Sequence, residues 1–190
     1  MTREYFTDRR FEKADFSANG IAQGDYENCI FNNCNFSNAD LSGLIFSECT
    51  FKGCDLSLAR LTKTSFRSAR FNDCKLLGLR FENCNDFLFS ADFSGCNLNL
   101  TTFFKKRLKN TRFAKCTLRE TDFTESELGG SVFDNCDLTR AIFTHTNLEK
   151  ADLRSSFNYS IDPEINRIKK AKFSLAGLAG LLDKYDIEIE

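Results

Sequence analysis

The chain has 190 residues, enough for one domain with a sizeable core. Its 26 Lys and Arg residues nearly balance 27 Asp and Glu residues, so the net charge indicates no general affinity for nucleic acid or for a membrane surface. The segment Met1–Phe6 lacks the apolar stretch of a signal peptide, and the longest apolar run, Leu175–Leu182, is too short to cross a bilayer. We therefore expect a cytoplasmic protein with reduced cysteines.

Large apolar residues recur every five positions, first from Phe6 to Phe81 and then, after a two-residue slip at Asp86, from Leu88 to Leu153. An α-helix would scatter these residues around its axis, and a flat strand would alternate them between its two faces. The chain must instead turn once per five residues with every apolar centre directed inward. The sequence therefore predicts an all-β solenoid over residues 1–155.

The cysteines indicate the size of one coil. All nine lie two residues before an apolar centre, and Cys34, Cys54 and Cys74 are spaced by 20 residues, as are Cys96, Cys116 and Cys136. Four pentads per coil would give a square cross-section and about 7.5 coils. This arrangement predicts one core stack that consists of Phe11, Phe31, Phe51, Phe71, Phe93, Phe113 and Phe133.

The same spacing favours packing over chemistry for the cysteines. Zinc and iron–sulfur sites need thiolates that converge on one point, whereas these side chains would lie parallel in a wall. His145, the only histidine, falls at an outward position, and Gly129-Gly130 is not followed by the Lys and Ser or Thr of a phosphate-binding loop. We predict no catalytic residue, no metal and no cofactor, and hence no enzyme.

Two irregularities interrupt the pattern. The slip at Asn85–Phe89 predicts a bulge that exposes Phe87 or Phe89. Lys106 falls at an inward position, where an ammonium group is unfavourable unless it is paired. We interpret both as structural bulges, with functional loops as the alternative.

Residues 156–190 depart from the repeat. After an irregular connection, Ala171-Lys172-Phe173 forms a last repeat-like unit, and Ser174 is a plausible N-cap for a helix over Leu175–Lys184. Ile187–Ile189 alternates like a short strand. An open solenoid end exposes unpaired backbone and apolar rings, so we expect this tail to cover it. One face of the predicted helix carries Leu175, Leu178, Leu181 and Leu182.

Units such as Ala39-Asp40-Leu41, Cys54-Asp55-Leu56 and Cys136-Asp137-Leu138 resemble those of pentapeptide-repeat proteins. This resemblance covers about residues 4 to 155 and implies a right-handed quadrilateral β-helix. Ala171-Lys172-Phe173-Ser174 and the Leu-rich segment after it resemble the tail of the MfpA and Qnr group. In that group the C-terminal helix caps the rod and pairs two subunits, and the proteins imitate DNA, bind DNA gyrase or topoisomerase IV and modify quinolone action.

The resemblance implies acidic contacts with a topoisomerase, although members that imitate DNA are typically acidic and this chain is nearly neutral. Two segments are nevertheless acidic, and we predict that they bind the partner, with solvated faces that happen to cluster as the alternative. The residues are Asp15, Asp25, Glu27, Asp40 and Glu48 in the first segment, and Glu120, Asp122, Glu125, Glu127, Asp134 and Asp137 in the second. Two alternatives are a structural scaffold that binds another protein through its flat faces, and a DNA-binding protein that uses the basic segment Lys105–Arg119.

Overall fold

A computed structural model describes residues 3–188; Met1, Thr2, Ile189 and Glu190 lie outside the described residues. The chain forms an all-β parallel solenoid of about seven turns, which confirms the predicted all-β solenoid. Its strands are β1 (Glu4–Thr7), β2 (Arg10–Glu12), β3 (Gly24–Glu27), β4 (Ile30–Asn32), β5 (Ile45–Ser47), β6 (Thr50–Lys52), β7 (Ser65–Arg67), β8 (Ala69–Asn72), β9 (Ala91–Ser94), β10 (Arg112–Ala114) and β11 (Val132–Asp134).

Each coil pairs with its neighbours along four ladders. The first ladder is the sheet β1-β3-β5-β7, and the second is the sheet β2-β4-β6-β8-β9-β10-β11. The third is a row of single bridges from Asp15 to Phe157, and the fourth contains the bridges from Arg80 to Ile142. Phe31 pairs with Phe51, so one coil contains 20 residues, as the cysteine spacing predicts.

Local geometry explains the five-residue unit. At most corners the residue two after the apolar centre lies in the left-handed region, with φ of 51° at Asn33 and 57° at Leu58. One residue before many centres, an Asp or Asn side chain accepts a hydrogen bond from the backbone two residues later. Asp15 Oδ1 accepts from Ser17 N at 2.9 Å in this way. Such a turn restrains the backbone just before the corner, which is why Asp and Asn recur at this position.

The apolar centres form continuous stacks inside the solenoid. Phe31 and Phe51 stack with ring centroids 4.9 Å apart, and the column extends from Phe11 to Phe133. Adjacent columns meet edge to face, as for Phe31 and Phe46 at 5.9 Å. The cysteines lie between the columns and are buried; Cys54 Sγ, for example, is 3.2 Å from the Phe31 carbonyl oxygen of the preceding coil. Both arrangements follow from stacking identical positions one coil apart.

The slip near Asp86 is a two-residue bulge in the first ladder. Phe71 pairs with Phe93, so the coil that contains the bulge has 22 residues. Phe87 is 65% exposed at the tip, whereas Phe89 is half-buried against the core. A 3-10 turn over Phe81–Asn83 precedes the bulge.

The predicted helix over Leu175–Lys184 is wrong. Two short 3-10 segments, Leu178–Leu181 and Asp183–Tyr185, occupy this region, and Ile187 and Glu188 are not in a strand. Ile189 lies outside the described residues. Gly177 and Gly180 account for the difference, because glycine disfavours a helix and both residues approach Tyr159 too closely for a side chain. Ser174 Oγ still accepts from Gly177 N at 3.1 Å, so it caps a turn rather than a helix.

Candidate interaction surfaces

The first acidic segment is distributed around the solenoid and does not form one patch. Asp15 lies on the third ladder and Asp40 on the fourth. Asp25 and Glu27 flank Tyr26 in β3 on the first ladder. Glu48 follows β5 at a corner of the next coil, and Ser47 pairs with Glu27, so Glu48 is adjacent to this pair. The structure therefore brings together only Asp25, Glu27 and Glu48.

The second acidic segment also encircles the solenoid. Asp122 is on the fourth ladder and Asp137 on the third, Glu127 continues the first ladder beyond the bulge, and Asp134 ends β11 on the second. Glu120 and Glu125 occupy corners with positive φ. The sequence shows a cluster here because consecutive residues of one coil pass around its whole circumference.

Basic residues of neighbouring coils pair with six of the predicted acidic contacts. Arg60 reaches Asp40 at 3.6 Å, Lys105 reaches Glu125 at 3.4 Å, and Arg140 reaches Glu120 at 3.7 Å. The other three pairs are Arg3–Asp25, Arg112–Asp134 and Arg119–Asp137. Most of these pairs are exposed and contribute little to stability, but they neutralise the surface locally. Within residues 3–188, the other five predicted contacts take part in no such pair: Asp15, Glu27, Glu48, Asp122 and Glu127.

Asp137 differs from the other acidic candidates because its carboxylate is nearly buried. Arg119 Nε donates to Asp137 Oδ2 at 2.7 Å, while Thr139 Oγ1 and Asn158 Nδ2 donate to Oδ1 at 2.6 and 3.1 Å. Burial alone would raise the pKa, but hydrogen bonds from Thr139, Arg119 and Asn158 lower the pKa of Asp137 to about 2. This carboxylate therefore has a structural role in joining adjacent coils.

The basic segment Lys105–Arg119 is likewise divided by the fold. Lys105 pairs with Glu125, Arg112 with Asp134 and Arg119 with Asp137, and Lys106 is buried. The side chains of the segment point to different sides of the solenoid. The structure therefore does not assemble them into a continuous groove for a nucleic-acid backbone.

Lys106 fills the interior at the bulge. Its ammonium group donates to the Cys84 carbonyl oxygen and to Asp86 Oδ1, both at 2.8 Å. The same group lies 4.6 Å from the centroid of the Phe89 ring. These contacts satisfy the buried charge and hold residues 84–89 against the core. These contacts give the bulge a defined conformation in which Phe87 and Leu88 are exposed to solvent.

The tail covers the C-terminal end of the core. Ile161 N donates to the Gly180 carbonyl oxygen at 2.8 Å, and Lys184 bridges Asp162 and Glu164 at 2.8 and 2.6 Å. Of the four predicted dimerisation residues, Leu181 packs against the core and Leu182 is half-buried, whereas Leu175 is 89% and Leu178 44% exposed. Leu175 and Leu178 are therefore the more accessible to a second subunit.

Residues 3–188 contain neither a metal-binding cluster nor a membrane-spanning helix. No group of three or more His, Cys, Asp or Glu side chains in this range is arranged to hold a metal ion. No helix in the same range combines the length and the apolar character needed to span a bilayer.

Burial raises the pKa of the Cys34 thiol to about 11 and that of Cys49 to about 12, so these thiols are not nucleophilic at neutral pH.

The family model described as "Pentapeptide repeat region" matches residues 24–86 and 86–158, which include most of the solenoid. The chain belongs to the pentapeptide-repeat family. No curated protein matches this sequence. The fold nevertheless resembles several solved pentapeptide-repeat structures.

One similar structure is a trypsin-treated variant of QnrB1, described as a plasmid-mediated fluoroquinolone resistance protein. It has a TM-score of 0.63 at 20% sequence identity, and the match covers 99% of this chain and 98% of that chain. HetL, involved in heterocyst differentiation regulation in the cyanobacterium Nostoc sp. strain PCC 7120, has a TM-score of 0.52 at 22% identity, with 90% and 84% of the two chains covered. Likeness at these identities shows a common fold.

Proposed function

We propose that this pentapeptide-repeat protein is a non-enzymatic rod of the Qnr type that binds DNA gyrase or topoisomerase IV and modulates its activity or quinolone sensitivity. The observation that carries the proposal is the match to QnrB1 over 99% of this chain and 98% of that chain, which includes the C-terminal tail. A rod with polar flanks can occupy a channel that normally holds duplex DNA. The right-handed quadrilateral form of the rod, a bacterial source and a cytoplasmic location belong to the same proposal.

The group of Asp25, Glu27 and Glu48 is the part of the acidic surface that best fits a basic partner. Asp25 is paired with Arg3, whereas Glu27 and Glu48 are adjacent and have no ion pair among residues 3–188, so their negative charge remains available. The acidic residues that already pair with Arg or Lys offer less net charge to a DNA-binding surface. Recognition would then depend on one flank of the rod near its N-terminal half.

A supercoiling assay with purified gyrase, with and without ciprofloxacin, tests this function. We expect the chain to inhibit supercoiling or to protect it from the drug, and we expect Glu48→Lys to weaken that effect severalfold through loss of electrostatic attraction. Asp73→Lys is a matched control, because both positions are exposed corners, with φ of 54° and 53°, and both changes alter the net charge equally. An unchanged supercoiling reaction, with gyrase and topoisomerase IV alike, would contradict the proposal.

A scaffold that binds an unrelated protein is the second candidate. The local neutralisation of six acidic contacts favours it, because charge imitation of DNA requires a more uniformly negative surface. The likeness to HetL, a protein of regulatory rather than drug-resistance function, is in keeping with this candidate. Failure of the topoisomerase assays with a folded protein would favour the scaffold.

Pairing of two subunits through their tails is the remaining part of the proposal. Leu175 and Leu178 would supply the contacts, since Leu181 and Leu182 are used at least partly within one subunit. Two rods joined end to end would double the length available to a topoisomerase and add a two-fold axis.

A further inference from the structure

The N-terminal end of the solenoid is open among the described residues. β1 and β2 are terminal strands of the first and second ladders, so each pairs on one side. Phe6, Phe11 and Phe16 are half-buried, whereas the next residues of the same columns, Tyr26, Phe31 and Phe36, are at most 1% exposed. The first coil therefore presents ring faces and a strand edge that residues 3–188 do not cover.

The backbone of β2 is oriented for pairing at this edge. Ile30 N donates to the Arg9 carbonyl oxygen at 2.8 Å, and Lys13 N donates to the Asn32 carbonyl oxygen at 2.9 Å, so both contacts point toward the second coil. Backbone groups of successive strand residues point to alternate sides. The N–H and C=O groups of Arg10 and Glu12 are therefore directed toward the open edge, where they can pair with another strand.

The two ends of the solenoid are different, and this restricts how copies can associate. The tail covers the C-terminal end, with Gly180 bonded to Ile161 and Leu181 packed on the core. The open first coil of one copy consequently cannot extend the ladders of another copy at its C-terminal end. Association of two open ends about a two-fold axis remains, and it gives a closed dimer rather than a fibre.

In such a dimer, the charged side chains of β2 in one subunit are complementary to those of β2 in the partner subunit. Two copies of β2 that run antiparallel about Phe11 place Arg10 of each subunit opposite Glu12 of the partner subunit. In this register those two residues form the hydrogen-bonded pair, because their backbone groups face the edge. Both side chains are on the solvent side, 64% and 51% exposed, and within one subunit Arg10 Nη1 lies 3.9 Å from Glu12 Oε1. In the dimer each of them faces the partner subunit's opposite charge as well, so that the four side chains can form ion pairs across the interface. The same register sets Arg9 of each subunit opposite Lys13 of the partner subunit and thus includes two symmetry-related repulsive contacts.

We propose that the N-terminal edge, Arg10–Glu12 with the rings of Phe6, Phe11 and Phe16, is an interface for a second copy of this chain. The two copies pair β2 with β2 in antiparallel orientation and bury the exposed ring faces of the first coil. This interface is independent of gyrase binding and lies at the opposite end from the tail. If both interfaces form, the subunits join into linear chains rather than dimers.

Light scattering after size-exclusion chromatography, over a range of concentrations of the 190-residue chain, tests the proposal. We expect Arg10→Glu to weaken the dimer more than about tenfold, since it places two carboxylates opposite each other in both symmetry-related pairs. Adding Glu12→Arg to that variant exchanges the charges and should restore dimerisation. Lys13→Glu should strengthen it by removing the repulsion with Arg9. Thermal unfolding should stay unchanged at low protein concentration, because these side chains are exposed.

Leu175→Glu combined with Leu178→Glu distinguishes the two ends. If the chain is monomeric throughout, or if Arg10→Glu leaves the dimer intact while the tail variant abolishes it, the N-terminal interface is wrong. A dimer that Arg10→Glu disrupts, that the charge exchange restores and that the tail variant preserves supports it. Either result is independent of the outcome of the supercoiling assay.

Discussion

Many polar side chains on the surface of this solenoid form hydrogen bonds or ion pairs with side chains of the neighbouring coil. Side chains 18 to 22 residues apart in sequence become neighbours, as Arg119 and Asp137 show with a 2.7 Å contact. Asn147 Nδ2 donates to Glu127 Oε2 at 2.7 Å in a similar way. A polar substitution on the surface therefore affects two coils rather than one.

We predict that Asp137→Asn makes stability less sensitive to acid. Because the folded-state pKa of Asp137 is lowered to about 2, its ionised form stabilises the fold above the ordinary pKa near 4, and this contribution is lost as the pH falls toward 2. The lowered pKa corresponds to about 2 kcal/mol in the free energy of unfolding. Denaturant titrations between pH 7 and pH 2 should show a lower stability for the variant at pH 7 and a shallower decline. Parallel curves for the two proteins would contradict this role.

The bulge is the element that departs most from the repeat, and one side chain from the next coil holds it in place. Lys106 contacts the Cys84 carbonyl, Asp86 and the Phe89 ring from inside the solenoid. The backbone of the bulge keeps two further bonds to the preceding coil, from Asn85 N to Thr64 O and from Ser90 N to Phe66 O. The tip at Phe87 and Leu88 lies between these points.

Lys106→Met should release the bulge while the solenoid remains folded. The variant leaves the Cys84 carbonyl without its ammonium donor, and we expect a loss of about 1–3 kcal/mol in the free energy of unfolding. Hydrogen exchange of the backbone amides over residues 85–90 should become faster. Lys105→Met is the matched control, since the Lys105 ammonium group is exposed and contacts Glu125 and the ring of Phe104 rather than the bulge. Equal exchange in the two variants would show that Lys106 does not hold the bulge.

At the scale of the whole molecule, stability depends on contacts between neighbouring coils. The second ladder extends from β2 to β11, and its Phe column connects the coils through ring stacking. In such a structure each coil interacts mainly with the coils before and after it. A defect in the middle removes two interfaces, whereas a defect at the open end removes one.

We predict that Phe71→Ala lowers the free energy of unfolding by about 3–5 kcal/mol, because the ring is buried between Phe51 and Phe93. Phe11→Ala, in the same column, should have a clearly smaller effect, since Phe11 is half-buried and stacks on Phe31 alone within this column. Chemical denaturation of both variants, monitored by circular dichroism at a protein concentration that keeps the chain monomeric, measures the difference. Equal losses would contradict the coil-by-coil account.

The sequence also contains a signal for the ion pairs, which is the 20-residue length of one coil. Residues 20 apart are stacked, so Asp40 with Arg60, Lys105 with Glu125 and Glu120 with Arg140 could have been paired once the coil length was known. Consecutive acidic residues instead suggested a patch, although one coil distributes its residues over all sides. Arg10 and Glu12 lie on either side of Phe11 in the sequence, but only the structure shows that they are on a terminal strand.

The sequence by itself determined the solenoid and the number of residues per coil. An apolar period of five residues fits neither a helix nor a flat strand and therefore predicts a solenoid. The 20-residue spacing of Cys34, Cys54 and Cys74 predicts four pentads per coil, as the pairing of Phe31 with Phe51 confirms. Only the tertiary structure decided the conformation of the tail. Gly177 and Gly180 pack closely against Tyr159, and the apolar spacing of the tail, which predicts a helix, contains no sign of this contact. It also decided the partners of Lys106, since a buried ammonium group must find its acceptors in whichever coil lies against it.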